Sequence, residues 1–446
     1  MSGPFSPMAP VRVILPILMV LHLGLALTYA WLTPYRAEGV LFTQRQAGVQ
    51  KDIGAPDERQ HVNYIARLNR GEGVPVFDPK DPNLYENYQS HQPPLFYVAA
   101  SLWTRIVGAP DPTLPESKMR VRSLNAGIGA VGVAGVFFFA LWSTRRPEAA
   151  AVAGALAALL PMNLALSGAV SNDPLLIAVC AWTLALIAKG IQDGWNWRLA
   201  LLAGVLVGLG ALTKTTAVAL FPVLGLSFLS RRDGKFAIAV GPMAAAFGAA
   251  LLLAGPWWLR NQSLYGDPFA LGAFNQAFVG SPQASVFIEA LGPVGYWTGI
   301  NEIGLGVGWW TVRSLLGVFG YMDIFLPAPV YVAWVVLLSA IVALRLAADR
   351  VEPPTGSTTA RALGALFAFL IVALFVRFNM TYFQAQARYL LPALAPLAVG
   401  MAWASTAGPF RGRWAAALAL PALLLAANVY VLAILSGEFA KRTMVF

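Results

Sequence analysis

The chain has a single cysteine, three histidines and few charges. Cys180 sits in an apolar run with no second thiol, so an internal disulfide, a zinc cluster and a thiol relay are all excluded. No GxxxxGK phosphate loop, HExxH helix or GxSxG elbow occurs, which removes the usual signatures of nucleotide hydrolysis, zinc proteolysis and serine hydrolase chemistry. Asp, Glu, Lys and Arg make up 12% of residues, and almost none fall inside the long apolar runs. Without a file of intramembrane carboxylates there is no proton path, which argues against a pump or an ion-coupled carrier.

What the chain does have is apolar surface. Of 446 residues 58% are hydrophobic, with 25 Phe and 14 Trp, and mean hydropathy is +0.63. These values describe an all-α polytopic membrane protein, one transmembrane domain over residues 1–446 in contact with the lipid bilayer. A net charge of +10 would point to nucleic acid in a soluble protein. Here Lys and Arg recur in short clusters between apolar runs, the pattern of membrane topology, so no nucleic-acid partner is expected.

A spanning helix needs roughly 20 mainly apolar residues. Suitable runs lie near 13–32, 121–142, 149–167, 174–190, 198–213, 216–230, 236–257, 327–346, 362–378, 389–407 and 414–435, about eleven in all. The first ends in LTYAW, a poor cleavage site, and reads as a retained span rather than a signal peptide. Pro93–Gly108 is shorter, carries Arg105 and reads as a surface helix. Leaving it outside puts Arg12, Arg145/Arg146, Lys189/Arg198, Arg231/Arg232/Lys235, Arg345/Arg350/Arg361 and Arg411/Arg413 on the inner side; letting it cross would put every cluster after it outside. The chain is therefore expected in the inner (plasma) membrane, with residues 33–120 and 258–326 as two long outer segments.

The polar residues without an evident structural duty all fall on the outer side. Asp57 to Arg70 lacks Gly and Pro and spaces Val62, Ile65 and Leu68 as an amphipathic helix lying on the membrane surface. Asp57 and Glu58 open it, where the helix dipole favours negative charge, and first-turn stabilisation alone accounts for them equally well. His61 follows on the same helix. His91 and Gln92 precede Pro93–Pro94 in an ordered loop rich in Pro, Asp, Asn and Tyr. Asp173, in SNDP, reads either as a helix cap or as a second outer carboxylate. Lys214, Arg260 and Arg388 stand at outer helix ends, where cations commonly snorkel to the interface; three on one face also suit a lipid-linked phosphate. The aromatics around Trp257 and Trp309 read either as an interfacial belt or as faces for stacking on a sugar.

Taken in order, PDERQH, YIARLNRGEG, HQPPLFYVAASLW, SNDPLLIA, GLGALTKTTAVALFPV, WWLRNQSLYGDPFA and QARYLLPALAPLA resemble the membrane-embedded glycosyltransferases of the GT-C fold. The resemblance is to the bacterial protein O-mannosyltransferase and aminoarabinose transferase group (glycosyltransferase family 39-like) and covers most of the chain. It implies transfer of a hexosyl or pentosyl group, with inversion, from a polyprenyl-phosphate sugar to a protein, glycolipid or cell-wall acceptor at the non-cytoplasmic face. It also implies Asp57 as catalytic base with Glu58 beside it. His61, His91, Gln92, Asp173, Lys214, Arg260 and Arg388 would bind substrate, the three cations holding the donor phosphate. No cofactor is required; Mg or Mn would suit such a site without being demanded by it. His91 departs in part from the family pattern. The alternative from another class is a non-catalytic lipid or polysaccharide translocase, or a scaffold subunit, with the same fold.

Overall fold

The computed structural model describes residues 9–35, 54–229, 239–347, 357–406 and 410–443. Residues 36–53 of the first expected outer segment, Arg231, Arg232, Lys235 and Arg350 of the expected inner clusters, and most of the expected inner loop at 352–359 lie outside the described residues, as do the side chains of Arg345, Arg411 and Arg413.

Among the described residues, six helices are long and apolar enough to cross a bilayer: Arg12–Leu32, Pro115–Thr144, Asp173–Asp193, Val240–Tyr265, Thr358–Asn379 and Leu418–Lys441. A seventh crossing is a pair, Pro147–Leu159 and Pro161–Ser167, bent by 57°. The bend falls where Leu160 is extended (φ −65°, ψ 117°) and Pro161 restarts the helix at its first position, because proline cannot donate into the preceding turn and pushes the residue before it out of helical geometry. Four remaining expected spans are shorter helical pieces, Trp197–Ala211, Thr215–Ser227, Ala328–Ala343 and Leu391–Ser405. The expected count of eleven is thus not reached on length and composition.

Small residues set the packing. On the Lys118–Thr144 helix, a Cβ at Gly132 would touch Ala178 at 3.4 Å, and one at Gly135 would meet the Trp182 backbone nitrogen at 3.0 Å. Glycines spaced one turn apart let this helix and Asp173–Asp193 approach backbone to backbone, the usual device where lipid removes the hydrophobic drive for helix association. Gly204 and Gly208 serve the same purpose between Trp197–Ala211 and Val240–Tyr265, facing Ala246 and Ala250. On that last helix Leu251, Leu252 and Leu259 stay exposed, as a lipid-facing side requires. His22 is fully buried between the Ala158 carbonyl (3.0 Å) and the Ser167 hydroxyl (3.1 Å), which satisfies both ring nitrogens.

The outer helix forms as Glu58–Asn69, and Gly71 ends it at φ +79°. Its apolar face does not lie on lipid as expected. Val62 and Ile65 are fully buried against Phe96, Tyr97 and Ala100 of the Leu95–Ile106 helix and against Val121 and Val170, at roughly 1.5–3 kcal/mol per large side chain. The two short outer helices therefore form a small core of their own on top of the spans. The fold is not wholly helical, since Val318–Phe319 and Ile324–Phe325 pair antiparallel, Val318 opposite Phe325.

Candidate active site

Asp57 adopts a left-handed conformation (φ 64°, ψ −3°) immediately before the outer helix. For a residue with a Cβ this costs on the order of 1–3 kcal/mol, although Asp and Asn tolerate it better than most. Its carboxylate makes no capping bond to the helix it precedes. Instead Oδ1 accepts from the Tyr88 hydroxyl at 2.6 Å, and Oδ2 pairs with Arg388 at 2.6 Å. First-turn stabilisation therefore does not account for Asp57. Burial works to raise its pKa, but the Arg388 charge, the Tyr88 hydrogen bond and nearby His61 outweigh it, leaving the carboxyl at about 2.

The carboxylate of Asp173 lies in the same field. Asp173 begins its helix, makes no cap there, and pairs through Oδ1 with Lys214 Nζ at 2.6 Å. His61, one turn after Asp57, senses both carboxylates and both cations; burial dominates and holds it near 4, so it is neutral at physiological pH. Its Nδ1 meets the Tyr97 hydroxyl at 2.9 Å. Tyr389 gathers the two cations, with its ring centre 5.1 Å from the Arg388 guanidinium and 5.7 Å from Lys214 Nζ. Arg388 also keeps a buried Nε with no partner among the described residues.

The loop before Pro93 closes one side. Tyr88 to His91 form a 3-10 turn that delivers Tyr88 to Asp57. His91 bonds the Tyr88 carbonyl through Nδ1 at 2.5 Å and Gln92 through Nε2 at 2.9 Å, and burial keeps it neutral, near 4. Gln92 Oε1 accepts from Asn172 at 3.1 Å, tying this loop to the turn that presents Asp173.

Two expected site residues are placed differently. Glu58 is buried, with Oε2 on Arg122 at 2.5 Å and Oε1 taking both Arg122 Nε and the Val170 amide at 2.8 Å. Arg122 also donates to the Ala30, Thr33 and Pro34 carbonyls. Every oxygen of Glu58 is engaged, so it anchors the outer helix to the first span and to the turn three residues before Asp173. Arg260 donates to the Pro75 carbonyl at 2.8 Å and lies 4.8 Å from the Trp257 ring centre, bracing the outer loop without an ion pair to either carboxylate. Tyr88, Tyr97 and Tyr389 join the site without having been singled out from sequence; the signal for Tyr88 was its place one turn before His91.

The model of a family described as dolichyl-phosphate-mannose-protein mannosyltransferase matches residues 97–265. Among solved structures, ArnT from Cupriavidus metallidurans bound to undecaprenyl phosphate aligns with a TM-score of 0.55 at 14% identity, over 93% of this chain. The fold is that of the GT-C membrane glycosyltransferases.

Within this GT-C fold the family match takes in Asp173, Lys214 and Arg260 and stops short of Asp57, His61, His91, Gln92 and Arg388. The chain spans 63% of the length of ArnT. The oligosaccharyltransferase of Archaeoglobus fulgidus in its apo form aligns at TM-score 0.49 and 14% identity, over 98% of this chain and 56% of that one. No curated protein sequence matches this one. Among the described residues no three His, Cys, Asp or Glu side chains come together as a metal site would need.

Proposed function

We propose that the chain transfers a sugar from a polyprenyl-phosphate donor to an acceptor at the outer membrane face, with inversion and with Asp57 as general base. The observation that carries this reading is the pairing of each outer carboxylate with one cation, Asp57 with Arg388 and Asp173 with Lys214. A phosphodiester entering such a site competes for both cations, and the unpartnered Arg388 Nε is a donor ready for it.

That competition prepares the base. With Arg388 held by Asp57, the carboxyl sits at about 2 and takes up a proton poorly. When Arg388 turns to the phosphate, the charge that lowers the Asp57 pKa is shared with another anion while the burial that raises it persists. The acceptor hydroxyl then gives its proton to Asp57 as its oxygen attacks the anomeric carbon on the face opposite the phosphate. The bond from that carbon to the phosphate oxygen breaks, and the electron pair leaves with the phosphate, its charge held by Lys214 and Arg388. One carboxylate suffices, because phosphate leaves without a proton; hydrolytic glycosidases need two.

The neighbours have definable parts in this scheme. Tyr88 fixes the Asp57 carboxylate, and its own phenol is pushed well up by burial and by the Asp57 charge, so it stays a donor. His61, His91 and Gln92 supply neutral hydrogen-bonding groups around the cluster. Glu58 acts as a positioning residue through Arg122. A divalent Mg or Mn ion would take the same carboxylate oxygens that Lys214 and Arg388 occupy, so the scheme assigns the phosphate charge to those side chains. Purified protein in membrane vesicles, given a panel of undecaprenyl-phosphate hexoses and pentoses, is expected to consume one of them. Consumption of none, together with lipid movement across the vesicle that is indifferent to Asp57→Asn, would favour a translocase.

A further inference from the structure

The outer helix carries a second group of polar residues one to three turns on from Asp57. There a cavity of about 160 Å³ lies between the helix and the Pro75 and Glu86 loop, with Gln60, Tyr64 and Arg67 along one wall. Two of these side chains are at least nine-tenths buried, Gln60 at 1% and Tyr64 at 3% exposure, yet the Gln60 Oε1 and the Tyr64 hydroxyl have no partner among the described residues. A buried amide oxygen or phenol left unmade costs about 1–3 kcal/mol, so the pair is expected to have a ligand. The other half of the Gln60 amide is already fixed, donating to the Tyr85 carbonyl at 2.9 Å, which aims Oε1.

The chemistry of the wall selects the ligand. Glu86 pairs with Arg59 at 3.2 Å, while Arg70 at 2.5 Å and Arg67 at 3.7 Å share Glu72, and the buried Arg67 Nε has no hydrogen-bond partner among the described residues. What remains free is an acceptor, a hydroxyl that both donates and accepts, and one guanidinium N–H donor, a mixed set that suits the donor-and-acceptor hydroxyls of a sugar. The size fits one sugar ring and falls below the roughly 300–1,000 Å³ of drug-sized sites. The cavity is also joined to the reaction site, since Tyr64 stacks on Tyr97 with ring centres 3.7 Å apart and Tyr97 bonds His61 at 2.9 Å.

We infer that this cavity is a carbohydrate subsite that seats a pyranose ring of the acceptor, which is then itself a glycan. Assigning the ring to the acceptor rests on the proposed transfer; binding of the ring does not, and needs no turnover, so its failure is read separately. The test uses the full chain in detergent micelles with methyl glucopyranoside, methyl mannopyranoside and methyl galactopyranoside as probes, inorganic phosphate as the anionic control, and titration followed by ligand-observed NMR. At least one glycoside should bind the wild type. Gln60→Leu and Tyr64→Phe should each weaken it by roughly threefold to tenfold, while Arg388→Ala leaves it unchanged. Tyr64→Phe keeps the stack on Tyr97, so it remains informative should Gln60→Leu fail to fold. The inference is overturned if no glycoside binds, if binding ignores both substitutions, if it is lost with Arg388→Ala instead, or if phosphate is the probe that depends on Gln60 and Tyr64.

Discussion

Replacing Asp57 by Asn separates the two roles given to this residue. Asn tolerates the left-handed backbone that Asp57 adopts and keeps an oxygen for the Tyr88 hydroxyl, so the outer helix should still form. The loss is the charge. A carboxyl lowered from 3.8 to about 2 is stabilised in the folded protein by about 2 kcal/mol, at about 1.4 kcal/mol per pKa unit. Removing that charge gives up the same amount of stability at neutral pH, and also releases Arg388 from the partner with which a phosphate must compete. Undecaprenyl phosphate should therefore bind Asp57→Asn at least as tightly as wild type, with a ceiling of roughly thirtyfold if the whole 2 kcal/mol is recovered. Transfer should fall by roughly 100- to 10,000-fold, the usual contribution of a general base. The assay pairs lipid-phosphate binding in detergent with sugar transfer in membranes. Transfer within threefold of wild type would remove Asp57 as the general base, and loss of lipid-phosphate binding would remove the competition for Arg388.

Glu58→Gln should cost about 3–5 kcal/mol of stability, because it leaves Arg122 buried without its counter-charge; denaturant titration checks this, and a variant of unchanged stability would remove Glu58 as an anchor. Asp57 contributes stability that is full above pH 4 and is lost as pH falls towards 2, since its folded pKa lies below its ordinary value; acid unfolding of Asp57→Asn should lack that component. With His61 and His91 already neutral above about pH 4, the transfer rate should show no histidine inflection between pH 5 and 8. For topology, Lys80→Cys should react with an impermeant maleimide from outside and Asp193→Cys only from inside, against a silent background because Cys180 is fully buried; the reverse pattern would place the Asp57 cluster in the cytoplasm.

Charge clustering and hydropathy in the sequence were enough to group Asp57, Asp173, Lys214 and Arg388 on one side of the membrane, and the structure brings these four together. What stayed hidden depends on long-range packing. Nothing local distinguishes Glu58 from Asp57, yet Arg122, 64 positions away, claims one carboxylate and leaves the other free for Arg388. Arg260 has the same surroundings in sequence as a phosphate-binding cation, and only the approach of the Pro75 carbonyl gives it another duty. Hydropathy windows located the apolar runs but not the breaks within them. The Leu160–Pro161 break lies inside the run at 149–167 and was written in the sequence only as a proline, whereas the turn from Ala211 to Thr215 falls at the boundary already read between the runs at 198–213 and 216–230. The amphipathic period of the outer helix was correct, but periodicity does not say whether an apolar face meets lipid or the Phe96 and Tyr97 side chains that cover it.

The proposed reaction moves a sugar off a polyprenyl phosphate with inversion. Phosphorus and proton NMR on one reaction test it most directly, following the undecaprenyl-phosphate sugar that the wild-type protein consumes. Inverting transfer should convert the phosphodiester to undecaprenyl monophosphate together with a glycosidic product of opposite anomeric configuration. A product of retained configuration, or a donor that stays a phosphodiester while it changes leaflet, would contradict it.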